Sequence, residues 1–201
     1  MLLIPYPLIL TPVNTLFLDI ASHTATVACA DATAAMALQS TEERVGDNNL
    51  IPMVESVLQE AEWQYGDIER IACVVGPGGF TSLRVAVTFA NVLADQCGIP
   101  SAGVHLSAVY RARMTDADVF WLHSTKKDQL FACGGIWKEP TLIGLDQIPE
   151  GDWMGELIDE QRDKAGTMRT DVKPLQEVLP TLLHSLGYSK ESLEPWYGRG
   201  W

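Results

Sequence analysis

Residues 74–84, VVGPGGFTSLR, combine the residue types that could hold an anion. An apolar run ends in glycines and a proline, passes a Thr-Ser pair and an arginine, and opens into an apolar helical pattern. Strand, glycine turn and helix in that order put free backbone amides at a helix start, where a phosphate can sit. Gly78 and Gly79 permit positive φ and close backbone approach, and Thr81 or Ser82 can cap the helix. Arg84 falls in the first turn, where a cation opposes the helix dipole by about 0.3–1 kcal/mol. It therefore calls for an anionic partner, on a ligand, on this chain or on another. The second candidate is Asp19, in an apolar run just ahead of Ser22 and Thr24. A carboxylate there can hold a metal or phosphate, or simply cap a hairpin.

The familiar fingerprints fail. A Walker loop needs a lysine after its last glycine, and none follows Gly79; a dinucleotide loop needs a glycine where Thr81 stands. His23, His105, His123 and His184 show no zinc spacing, and Cys29, Cys73, Cys97 and Cys133 form no C-x-x-C pair. Cys29, Cys73 and Cys133 sit in apolar strand-like runs and read as buried thiols of a reducing compartment. Ser107 has no His and Asp companions at a telling spacing, so nucleophilic hydrolysis is unsupported. The net charge of −12 over 201 residues argues against unaided binding to a phosphate backbone.

These residues need elements to position them. Residues 15–21, 25–30 and 32–39 read as three consecutive strands, the third the weakest because it is alanine-rich. Leu50, Val54, Val57, Leu58 and Ala61 recur at helical spacing over residues 50–62, with Asn49 as N-cap and Pro52 in the first turn. A buried strand over 71–75 leads into the glycine turn and a helix to about residue 96, stopped by Gly98. A strand in residues 99–104 and a helix over 106–113 complete the first half. Strands over 118–123 and 130–137, a further one in 140–149, and a helix within 171–186 interrupted near Pro180 make up the second. No internal repeat shows. Three strands followed by alternating helices and strands predict an α/β protein with an actin-like, or ribonuclease-H-like, half-fold. In actin-like ATPases a first-strand aspartate holds metal and phosphate. The nuclease reading wants another acid where Gly76–Gly78 stand, and is disfavoured.

The helix after the turn is apolar on nearly two opposite faces. Leu83, Val87, Ala90 and Ala94 make one, and Val85, Phe89, Val92 and Leu93 the other. The arc covers roughly 220°, about twice what a helix needs to cover a sheet. Ile51 and Met53 broaden the stripe of the preceding helix. The surplus predicts contact with another chain.

Taken together, residues 16–30, 50–61, 74–94 and the closing LEPWYGRG resemble the bacterial TsaB (YeaZ) family, whose loop is Gly-Pro-Gly-Ser-Phe-Thr-Gly-Leu-Arg. The chain keeps Gly76, Pro77, Gly78, Phe80, Thr81, Leu83 and Arg84 of it. Gly79, Ser82, Ala21 and Gly198 depart from the family pattern. The resemblance implies an actin-like ATPase fold in two lobes, the second small and degenerate: an apolar arm over 1–14, a first lobe over 15–115, and a reduced second lobe with a C-terminal helix over 116–201. It implies a non-catalytic, cytoplasmic scaffold that pairs with and activates a TsaD-like catalytic subunit. With that subunit and a TsaE-like ATPase it would serve the threonylcarbamoyl modification of tRNA adenosine beside the anticodon. Alone it could homodimerise, and it would meet tRNA only through the complex. The partner face would comprise Leu50, Ile51, Met53, Val54, Val57, Val85, Phe89, Val92 and Leu93. Asp19, Ser22, Gly78, Gly79, Thr81 and Arg84 would be the remnant of an anion or nucleotide loop. The chain would need no cofactor by itself, with ATP or ADP and Mg only at a complex interface. The competing expectation is a stand-alone actin-like phosphotransferase or peptidase-like enzyme.

Overall fold

A computed structural model describes residues 13–198. Most of the expected N-terminal arm, and Arg199 of the closing motif, lie outside the described residues. The first sheet has five strands: β1 (Thr15–Asp19), β2 (Ala25–Ala30), β3 (Ala35–Thr41), β4 (Arg70–Gly76) and β5 (Ser101–His105). Their order is β3-β2-β1-β4-β5. β2 runs antiparallel to β1 and to β3, while β4 is parallel to β1 and to β5. This is the predicted actin-like arrangement.

β1 and β2 are buried at every residue, because both faces of the sheet are covered. Leu16, Leu18, Val27 and Cys29 face a core closed by helices α1 (Asp47–Glu60) and α2 (Phe80–Cys97). Phe17, Ala28, Ala72 and Val74 face a second core, closed by α3 (Leu106–Arg113) and by a late helix, α5 (Leu175–His184). Gly98 ends α2 in the left-handed conformation, φ 67°, as its sequence position predicted.

Helix boundaries differ from the sequence reading in two places. α1 begins at Asp47 behind Gly46, not behind Asn49, so Pro52 lies inside the helix, at its sixth residue, and has no N–H to give residue 48. The solvated side of the helix tolerates this, since Pro52 is exposed. α5 runs through Pro180 without interruption, because the apolar contacts of Val178, Leu179, Leu182 and Leu183 hold the turn together.

The second sheet contains β6 (Phe120–Lys126), β7 (Gln129–Gly134), β8 (Trp137–Gly144) and β9 (Trp153–Glu156), in the order β8-β7-β6-β9. Its antiparallel and parallel pairings repeat those of β3-β2-β1-β4, a duplication with no trace in the sequence. One face joins the first lobe through Trp121, Phe131 and Cys133. The other is closed by the following segment, including Leu157, Ala165 and the short helix α4 (Asp159–Arg162).

The sequence division at residue 116 misplaces the C-terminal helix. α5 packs on α3 and β3, Ser189 exchanges backbone hydrogen bonds with Ser101 at 2.8 and 3.0 Å, and the Trp196 amide donates to the Val75 carbonyl at 2.7 Å. From α5 to Trp196 the chain therefore returns to the first lobe, driven by the apolar stripe of α5. Cys29, Cys73 and Cys133 are buried free thiols, as expected. Among the described residues no helix is long and apolar enough to cross a membrane.

Candidate functional site

The carboxyl ends of β1 and β4 and the start of α2 meet the hairpin end of β6 and β7 around a cleft of about 1090 Å³. The β1–β2 turn forms its floor. Asp19, at the end of β1, is 5% exposed. Its Oδ1 accepts the amides of Ala21 and Ser22 at 3.1 and 3.2 Å, and its Oδ2 accepts the Ser22 hydroxyl at 2.6 Å. Burial pushes its pKa up to about 6, against the lowering effect of those hydrogen bonds.

The glycine turn packs against that floor. The Gly79 amide donates to the Ala21 carbonyl at 3.4 Å. A Cβ on Gly78 would stand 2.5 Å from the Ala21 Cβ and 2.6 Å from its carbonyl oxygen, so Gly78 is required by space. Gly78 and Gly79 permit positive φ, but the turn places it on Gly76, at 147°, while Gly79 is ordinary at −62°. Gly79 is the N-cap of α2, with no side-chain cap. Thr81 and Ser82 lie inside the first turn, so neither caps it. Ser22, Gly78 and Gly79 line the cleft together; Thr81 and Arg84 do not.

Arg84 has a different partner from the anion expected of it. Its guanidinium lies over the Phe80 ring, 4.0 Å from the centroid, and its Nε donates to the Tyr197 hydroxyl at 3.2 Å. The aromatic face provides the negative potential that the dipole argument required. Tyr197 belongs to a C-terminal strap in which Trp196 packs on His105 and Phe131. Gly198, which departs from the family pattern, has φ 76°, and a Cβ there would run into the Phe131 ring.

Sequence reasoning missed the polar cluster behind the cleft. Glu156, at the end of β9, is 7% exposed. Its Oε1 accepts the His23 amide at 3.0 Å and the Tyr110 hydroxyl at 2.9 Å. Its Oε2 lies 3.5 Å from Nδ1 of buried His123, too long for a hydrogen bond. His123 is stacked on Trp121, and burial lowers its pKa to about 4, so the imidazole is neutral at neutral pH and the pair is not an ion pair. Burial likewise lowers His105 to about 4 and raises Tyr110, with Glu156 adding to the rise. No local motif could reveal Glu156, which meets His23 across 133 positions.

The glycine turn itself assembles no Walker-type clamp, although Arg44 and Lys126 line the cleft. Both oxygens of Asp19 already accept hydrogen bonds, the turn has no lysine, and among the described residues no three His, Cys, Asp or Glu side chains are placed to hold a metal ion.

The other candidate surface lies on α1 and α2, side by side on one face of the first sheet. Val92 and Ile51 are 56% and 48% exposed. Met53, Val85, Phe89 and Leu93 are half-buried beside them. Leu50, Val54 and Val57, assigned to the partner face from the sequence, are instead 0–1% exposed in the chain's own core. They form the inner stripe of α1 against the sheet and are not available to a partner.

Known proteins share this sequence pattern and this geometry. The family model described as TsaD, tRNA N6-adenosine threonylcarbamoyltransferase, matches residues 43–143, half of the chain. The chain is similar to a tRNA threonylcarbamoyladenosine biosynthesis protein TsaB of Buchnera aphidicola, 25% identical over 116 residues, which are 58% of this chain and 50% of that protein. The chain thus spans about half the length of that curated relative. Among solved structures, a Pseudomonas aeruginosa protein described as similar to the peptidase YeaZ superposes with a TM-score of 0.75 at 19% identity, over 93% of this chain and all of the other. YeaZ from Pseudomonas aeruginosa superposes at 0.66 and 19%, over 92% and 99%. These superpositions establish the shared fold.

Proposed function

The chain belongs to the TsaD-type family, on its TsaB (YeaZ) branch, and from that premise we propose that it is a non-catalytic scaffold for threonylcarbamoyl modification of tRNA adenosine. It pairs with and activates a TsaD-like catalytic subunit, in a complex that includes a TsaE-like ATPase. The observation that carries this reading is the apolar face on α1 and α2, where Ile51 and Val92 remain exposed after the chain's own core is complete. Two features support the non-catalytic part. Asp19 already accepts three hydrogen bonds from its own turn, and Arg84 is held by an aromatic ring and a phenol. Nucleotide and Mg then belong to the assembled complex, and tRNA reaches this acidic chain only through its partners.

Val92→Asp and Ile51→Asp test the reading. Phe89 and Met53 would serve less well, because both pack partly on the chain's own core. Placed in an apolar interface, an unpaired carboxylate costs several kcal/mol, so affinity for a TsaD-type protein from the same cell should fall at least about a hundredfold. Circular dichroism should stay unchanged, since both positions are exposed. Two folded variants with unaltered Kd would refute the assignment of this face.

A further inference from the structure

The β1–β2 turn hangs from three anchors. Asp19 holds the amides of Ala21 and Ser22 from below. The glycine turn presses on it from the side, with the Gly79 amide on the Ala21 carbonyl and no room for a side chain at Gly78. Glu156 reaches it from the other lobe and accepts the His23 amide. The same Glu156 oxygen accepts the Tyr110 hydroxyl of α3. Among the described residues, the hydrogen bonds of ordinary length that cross from first-lobe elements to a strand of the second sheet both end on this one oxygen; the other crossing is a 3.9 Å approach of Arg111 to the Cys133 sulfur.

We propose that Glu156 is a positioning residue that transmits the placement of the second lobe to the start of α2. The route runs from Glu156 to the His23 amide, through the Ala21 carbonyl to Gly79, and so into the first turn of α2. A buried carboxylate accepting two donors makes bonds stronger than neutral ones. Removing it takes the acceptor from a part-buried amide and a part-buried hydroxyl. Ile20 and Ala21 are buried in the two cores, but the tip of the turn, His23 and Thr24, is exposed, so the local stability of the tip depends on these anchors. Movement of the second lobe, on closing the cleft or on meeting another protein there, would pull on Glu156 and shift the helix whose outer face is the proposed docking surface. That last link rests on the function proposed above; the earlier links concern the isolated chain alone.

The test is native-state hydrogen exchange of the full chain, read by mass spectrometry at one pH. The reporters are segments 20–25 and 76–84, with 175–184 on α5 as the reference. In Glu156→Ala, both reporters should exchange about tenfold faster or more, and the reference should be unchanged. Acceleration of 20–25 alone would show an anchor without transmission and overturn the proposal, as would no change in either reporter. If Glu156→Ala speeds all three segments by loosening the whole fold, Tyr110→Phe decides. It removes one of the two bonds and no packing, and should speed both reporters severalfold without touching the reference; an unchanged 76–84 would again overturn the proposal. Binding to a TsaD-type protein keeps the two readings apart. Glu156→Ala should weaken it severalfold while Val92→Asp abolishes it. If Val92→Asp binds normally, the docking face is wrong and the exchange result still stands or falls by itself.

Discussion

Asp19→Asn should change the pH dependence of stability in the direction set by a desolvated acid, opposite to that of a salt-bridged one. Burial raises the Asp19 carboxyl from 3.8 to about 6. A raised folded-state pKa means that the folded protein holds the proton more tightly than the unfolded chain. The resulting stability is fully present below about pH 4 and is lost as the pH rises through 6. A rise of that size corresponds to about 3 kcal/mol. His105 and His123 act the other way: their folded values, about 4, lie below the ordinary 6.5. Their contribution is fully present above pH 6.5 and is lost as the pH falls toward 4. In the parent chain the two effects oppose each other between pH 6.5 and 4, and the stability curve is flattened. Asparagine keeps an oxygen for the Ala21 and Ser22 amides and can donate to the Ser22 hydroxyl, which is also within 3.0 Å of the Thr24 carbonyl. The variant should therefore fold, but only the histidine loss remains. Urea unfolding followed by fluorescence of the six tryptophans, in buffers from pH 7.5 to 4, reads the difference. The parent should gain about 3 kcal/mol on the variant across that range. Parallel curves for the two proteins would refute the raised pKa and the burial argument behind it.

Three further substitutions address the glycine turn and its arginine. Gly78→Ala should cost about 1–3 kcal/mol by overpacking, because its methyl group would meet the Ala21 carbonyl at 2.6 Å; Gly79→Ala, where the nearest atom is the Ser82 hydroxyl at 3.6 Å, should cost less than about 1 kcal/mol, the N-cap preference for Gly over Ala. Equal effects at the two glycines would show that the turn is not held against Ala21. Arg84→Ala should cost about 0.5–1 kcal/mol, the value of an exposed cation–π contact, in chemical denaturation; a loss several times larger would mean that the guanidinium holds the C-terminal strap rather than merely resting on it.

Much of the first lobe was legible because its signals are local. Apolar runs at residues 15–21, 25–30 and 71–75 became β1, β2 and β4, and Gly98 stopped α2 where a left-handed residue was needed. α3 was predicted to its ends. The same locality limits what such reading can do. The apolar arc of α2 shows how much of the helix is hydrophobic. It does not show that Leu83, Ala86, Val87 and Ala90 take the sheet while Val92 is left to solvent. On α1 the division failed for Leu50, Val54 and Val57, since a stripe of apolar residues has no label for the surface that will cover it.

β9 was missed altogether: four residues, with Gly155 at φ 128° in their midst, carry too little pattern to announce a strand. With β9 went Glu156 and the polar seam between the lobes. By itself, then, the sequence determined the element types, the glycine turn and the surplus of apolar helix surface, because propensity and periodicity act within a few residues. Only the tertiary structure decided the repeated strand order of the second sheet, the return of α5 to the first lobe, the aromatic partner of Arg84 and the meeting of Glu156 with His23. Backbone ladder bonds are alike for every residue type and so do not name the partner strand, and a carboxylate buried between the lobes is defined by neighbours 46 and 133 residues away.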